Sequence, residues 1–190
     1  MFAPRVIVAE FAESLAQTAR ALKVGNPLHE ATEVGPLIRP AETARVHEWV
    51  MEAVDTGATL LCGGAKISDC CYAPTVLLDP SPDSKVSTLE IFGPVVCVYG
   101  YDDIDAAIAQ ANALPVAFQA AVYTQNLDTA MHVYANLDAS AVMVNDHTAF
   151  RVDGMPFAGL RESGLGVGGI SRTIEDMTIE KMLVIKSPAL

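Results

Sequence analysis

Five short apolar runs, separated by turn residues and helical periodicity, constrain this chain more than any other feature. They are "ATLLCGG" at 58–64, "YAPTVLLD" at 72–79, "VVCVYGYD" at 95–102, "QAAVYT" at 119–124 and "SAVMVND" at 140–146. The last three are joined by helical stretches over 103–113 and 127–137. Continuous apolar strands alternating with helices predict an α/β fold, with a mostly parallel sheet and helices on both faces. Ahead of them, "RVIVAEFAESLAQTARALKVGNP" repeats Phe11, Leu15, Ala19 and Leu22 every three or four residues until Gly25-Asn26-Pro27 stops the helix. Residues 40–56 predict a second helix with Val46, Trp49, Val50 and Ala53 inward. "ATLLCGG" reads as a buried strand, and "TIEKMLVIK" at 178–186 as a terminal strand with no helix after it. No repeat or linker interrupts the chain, which reads as one domain with a protruding end.

Composition narrows the function classes. Of 190 residues, 51% are hydrophobic and 18% charged, which argues for a well-buried interior and against disorder. A net charge of −11 without a basic run argues against nucleic acid. No apolar stretch has membrane-spanning length and no signal peptide is visible, so a cytoplasmic setting is expected. Cys62, Cys70, Cys71 and Cys97 form no C-x-x-C pair, and His29, His47, His132 and His147 form no H-x-x-x-H pair. Free thiols and no metal are expected.

Gly164, Gly166 and Gly169 stand at the G-x-G-x-x-G spacing of a dinucleotide-binding turn. That turn needs a buried strand leading in and a long helix leading out. Arg161-Glu162-Ser163 reads as a polar turn rather than a strand, which leaves the spacing a coincidence of a glycine-rich loop.

Three stretches carry more than a fold class: "LEIFGPVV" at 89–96, "VNDHTAFRVDGMPFAGLRESGLG" at 144–166 and the terminal "TIEKMLVIK". With "VGNP", "GPLI" and "YAPTVL" in the same order, they resemble the C-terminal half of the aldehyde dehydrogenase superfamily over nearly the whole chain. The resemblance implies oxidation of an aldehyde with NAD or NADP, through a cysteine thiolate, an oxyanion hole and a glutamate base. It implies a partial catalytic domain over 1–178 and an oligomerisation strand over 179–190. By the same resemblance the nucleophile's position falls immediately before Met1, and the base and Rossmann-like cofactor domain lie further upstream. None of the four cysteines aligns with the nucleophile, so no catalytic residue is assigned and the chain alone is expected to be inactive.

What the resemblance does place here is recognition. Glu90 is expected to hydrogen-bond the nicotinamide ribose hydroxyls and Phe92 to pack near the ring, a carboxylate being able to accept two adjacent hydroxyl protons. Arg45 sits where the family often places a cation near the cofactor; otherwise it is an exposed helix charge. Arg151 and Phe157 are expected at the aldehyde entrance, Phe157 as apolar wall. Arg151 either grips an anionic aldehyde bidentately or pairs with Asp146, Asp153 or Glu162. His147 reads as structural, and Gly154, where relatives often carry an aromatic, either widens the tunnel or leaves it unpacked. Expected partners are a second copy of the chain or an upstream aldehyde dehydrogenase half. A non-catalytic module for self-assembly or partner binding is the alternative.

Overall fold

The computed structural model describes residues 1–188 and divides the chain into two compact units, Met1–Ala107 and Ile108 onward, where the sequence reads as one domain. In the first unit, β1 (Phe2–Pro4) leads into α1 (Val8–Ala21), α2 (Pro40–Asp55), β2 (Thr59–Cys62), β3 (Thr75–Leu78), α3 (Lys85–Thr88) and β4 (Val95–Tyr101). The strands form one sheet in the order β1-β4-β3-β2. The β1–β4 and β3–β4 pairs are parallel, whereas β2 runs antiparallel to β3.

Alternation along the two central strands explains the layers. Val76, Val96 and Val98 face α1, packing with Ala12, Ala16, Phe11 and Leu15. Leu77, Val95 and Cys97 face the other way, onto Val46, Val50, Ala53 and Trp49 of α2. Successive side chains on a strand point to opposite faces, so each central strand feeds two cores. Helices therefore cover both faces, as the apolar runs predict. "ATLLCGG" departs from expectation: β2 lies at a sheet edge, Thr59 and Leu60 are exposed, and only Ala58 and Cys62 of the run are buried. A strand with one neighbour can bury little of itself whatever its composition.

The boundary between the units falls within α4 (Ile104–Ala111). The second unit continues with β5 (Val116–Ala117), β6 (Gln119–Val122), α5 (Leu127–Asn136), β7 (Ala141–Val144), β8 (Leu160–Arg161) and α6 (Ile170–Asp176). Here β6 pairs with β7 in parallel and β5 with β8 antiparallel, as two separate two-stranded sheets. The Asn126 side chain caps α5 by accepting from the Thr129 amide at 3.1 Å.

Within this chain the expected terminal strand has no pairing partner. Residues 178–187 make no ladder, and positions 189–190 of that expectation lie outside the described residues. A strand needs a partner edge, and the described residues provide none for this segment. Ile179, Met182, Leu183, Val184 and Ile185 are all exposed.

Candidate functional site

Residues 89–94 cross from α3 to β4, and both ends of the crossing are fastened. Lys85 bridges Glu48 at 3.1 Å and Glu52 at 2.8 Å, tying α3 to α2. The Tyr99 hydroxyl donates to Ser87 Oγ at 2.7 Å from the β4 side, and burial pushes the Tyr99 phenol up to about 12. At the far end the Thr75 amide donates to the Pro94 carbonyl at 2.8 Å. Between these anchors Glu90 is exposed, and no described residue pairs with its carboxylate. Phe92 is 75% exposed with φ at +47°, a left-handed conformation that side chains rarely adopt. Both side chains of this turn are thus open to solvent.

Arg45 is not an exposed helix charge. Its side chain is 27% exposed and engaged through two of its three nitrogens. Nε donates to Glu42 at 2.8 Å, Nη2 donates to the Ile91 carbonyl at 2.6 Å, and the guanidinium lies 4.3 Å from the Trp49 ring centroid. Hydrogen bonds from Arg45 first, then Arg39, hold the Glu42 carboxyl below the usual carboxylate range.

The other predicted pair lies in the second unit. Asn145, with φ at +58°, locks the start of its loop by accepting from the Thr124 amide at 2.8 Å and donating to the Thr124 carbonyl at 2.9 Å. The loop closes where Phe157 and Gly168 exchange backbone hydrogen bonds of 3.0 and 2.7 Å. Arg151 lies between these fixings, exposed, with its guanidinium 4.5 Å from the Phe157 centroid. Phe157 in turn meets Phe118 edge-on at 4.8 Å. The Arg151 guanidinium has no carboxylate partner among the described residues, so none of Asp146, Asp153 and Glu162 neutralises it. His147 is exposed, with only Asp146 beside it at 3.9 Å. A Cβ at Gly154 would meet nothing within 4 Å, so the backbone there is open on that side.

The glycine run beside this loop is built for turning. A Cβ on Gly159 would fall 2.5 Å from the Ser163 carbonyl oxygen, so only glycine fits. Ser163 Oγ accepts from the Ala117 amide at 3.0 Å, and Arg161 pairs with Asp138. A two-residue strand, β8, does precede Gly164, which corrects the expectation of none, because Leu160 and Arg161 find an edge on β5. The helix after Gly169 has seven residues and buries none of them. Neither flank is that of a dinucleotide-binding turn.

The four thiols sit in different settings. Cys62 is buried and donates to the Pro74 carbonyl at 3.5 Å. Burial pushes the Cys97 thiol up, away from the thiolate, and it contacts the Val86 carbonyl at 3.7 Å. Cys70 and Cys71 lie half-exposed in the hairpin before β3, without a side-chain hydrogen bond among the described residues. Those residues contain no cluster of three His, Cys, Asp or Glu for a metal, and no helix long and apolar enough to cross a membrane.

Sequence reasoning missed Glu42, Trp49 and Phe118. For the first two a signal existed: Glu42 and Trp49 stand three and four positions from Arg45, the spacings at which helix side chains meet. Phe118 had none, since its contact with Phe157 spans two distant loops.

Comparison with known proteins accounts for these features together. The aldehyde dehydrogenase family model matches residues 1–183. The chain is 40% identical to the 3-sulfolactaldehyde dehydrogenase of Priestia aryabhattai, over 94% of this chain and 37% of that protein. With the lactaldehyde dehydrogenase of Methanococcus aeolicus it shares 33% identity over 94% of this chain and 38% of the relative. It superposes with a TM-score of 0.87 and 33% identity on glyceraldehyde-3-phosphate dehydrogenase GapN of Methanocaldococcus jannaschii, solved with NADP. That match covers 93% of this chain and 38% of GapN. The chain thus spans little more than a third of the relatives it matches. A family model over almost every described residue and close structural agreement lead to one conclusion: the chain belongs to the aldehyde dehydrogenase family.

Proposed function

We propose that this chain is the cofactor-ribose and aldehyde-recognition part of an NAD(P)-dependent dehydrogenase for small anionic aldehydes. The observation that carries the reading is the unneutralised Arg151 guanidinium, stacked on Phe157 at 4.5 Å. A stacked guanidinium keeps its orientation and still presents paired N–H donors to a carboxylate, sulfonate or phosphate. Relatives named for sulfolactaldehyde and glyceraldehyde 3-phosphate support an anionic substrate; a relative named for lactaldehyde keeps the neutral class as the contrast.

In this reading Glu90 accepts hydrogen bonds from the two nicotinamide ribose hydroxyls, and Phe92 covers one edge of the ring. A bound nicotinamide dinucleotide supplies the hydride acceptor. The described cysteines are buried, or lack a partner that would make a thiolate, so the nucleophile comes from another part of the enzyme. Exposed Ile170, Ile174, Met177 and the apolar segment from Ile179 to Ile185 support association with that part or with a second copy. Four free cysteines suit a reducing, cytoplasmic setting.

The test is substrate discrimination in the full-length enzyme carrying this chain. Arg151→Leu should lower kcat/KM for 3-sulfolactaldehyde by about 2–4 kcal/mol while leaving lactaldehyde nearly unchanged. Equal effects on both aldehydes, or none on either, would remove the anion-binding role.

A further inference from the structure

We propose that Arg45 is a positioning residue that clamps the Glu90–Phe92 turn, not a cation for the cofactor; the inference rests on reading Glu90 and Phe92 as the cofactor-facing pair. A cation meant for a ligand keeps charge and donors free. Arg45 commits its charge and two of its three nitrogens inside the protein: Glu42 matches the charge at 2.8 Å, Trp49 covers its face, and Nη2 is committed to Ile91 at 2.6 Å. Glu42 is itself steadied by Arg39, whose Nη2 donates to it at 2.9 Å.

The atom that Arg45 holds is telling. The Ile91 carbonyl belongs to the peptide joining Ile91 to Phe92, so fixing it fixes the plane between the carboxylate-bearing residue and the aromatic one. Phe92 is in the left-handed region at φ +47°, a conformation that persists only where its surroundings over-determine it. The neighbouring residue of α2 completes the grip. A Cβ on Gly93 would come within 3.0 Å of Val46 Cγ2, so the turn lies directly on the helix. With the Thr75 amide on the Pro94 carbonyl, the turn has one anchor on β3 and one on α2. Of these two hydrogen bonds, the one from α2 falls between Glu90 and Phe92, where the Ile91 side chain also packs on the Val46 cluster. Lysine could satisfy one of Arg45's partners, but its ammonium has neither the fork to reach both nor a flat face for Trp49.

The experiment compares Arg45→Gln, Arg45→Lys, Glu90→Gln and the Arg45→Gln/Glu90→Gln double variant in the full-length enzyme carrying this chain. It reads the cofactor KM, single-turnover hydride transfer, and hydrogen exchange at the Val95 amide, which closes the turn onto the Gly93 carbonyl at 2.8 Å. Arg45→Gln should raise the cofactor KM about tenfold, as expected for one lost charge-assisted hydrogen bond, and speed Val95 exchange. Arg45→Lys should not restore either value, and the double variant should be no worse than Glu90→Gln alone. Full rescue of KM by lysine while Val95 exchange stays fast would assign a direct cation contact and overturn the clamp. An unchanged KM in Arg45→Gln with an impaired Glu90→Gln would overturn the clamp alone. An unchanged KM in Glu90→Gln, with Val95 still loosened by Arg45→Gln, would overturn the cofactor reading, and the positioning role with it.

Discussion

The two units solve burial in opposite ways. In the first, Val46, Val50, Tyr72, Val76, Leu77 and Val98 are almost completely sealed, and each central strand packs on both α1 and α2. In the second, burial is confined to single positions such as Ala130, Val133 and Met143, while Leu165, Ile170, Ile174, Met177 and Leu183 face solvent. Its sheets have two strands each, a size that is marginal without added cover. The first unit holds the Glu90–Pro94 turn from within, through Arg45 and Thr75. The second carries Arg151 exposed on a loop, with Phe157 as its ring contact.

The largest expected consequence is catalytic. The chain alone, given NAD or NADP and a panel of aldehydes, should produce no NAD(P)H, because on the proposed reading none of its thiols is the nucleophile and a site without one loses many orders of magnitude of rate. Turnover that vanished on replacing Cys62, Cys70, Cys71 or Cys97 would show that a thiol of this chain had taken the role. The next effect sharpens the contrast in burial. The exposed apolar surface of the second unit should drive the chain into dimers or larger species at tens of micromolar, an association worth about 6–8 kcal/mol. Sedimentation should show it, and deletion from residue 179 onward should weaken it. A clean monomer indifferent to that deletion would break the comparison. Smaller still is the stability split. Leu77→Ala should cost about 2–5 kcal/mol in denaturant unfolding, as a buried core truncation does. Ile174→Ser should stay within about 0.5 kcal/mol, as an exposed substitution does. Equal costs would mean that the second unit owns a core after all.

Most of the first unit was legible in the sequence because its signals are local. Phe11, Leu15 and Ala19 mark one helix face, Val46, Val50 and Ala53 another, and each lies on the cluster its period predicts. What failed depends on partners remote in sequence. β2 reads as buried from its composition, yet edge position is a property of the sheet. "TIEKMLVIK" makes no ladder among the described residues, and the edge it is expected to pair with belongs to another chain, so composition alone leaves it open. At the candidate site, motif matching singled out Glu90, Phe92, Arg151 and Phe157, but the role of Arg45 turned on a hydrogen bond to a carbonyl 46 residues away.

We read the Glu90–Phe92 turn as a cofactor-recognition element. It is tested most directly by Glu90→Gln in the full-length enzyme carrying this chain, measuring cofactor affinity and single-turnover hydride transfer. The substitution keeps shape and removes the charge that accepts from two hydroxyls. Affinity or transfer rate should fall about ten- to a hundredfold, with the unfolding midpoint unchanged because Glu90 is exposed and unpaired. Unchanged affinity together with an unchanged rate would contradict the account and return Glu90 to an ordinary surface carboxylate.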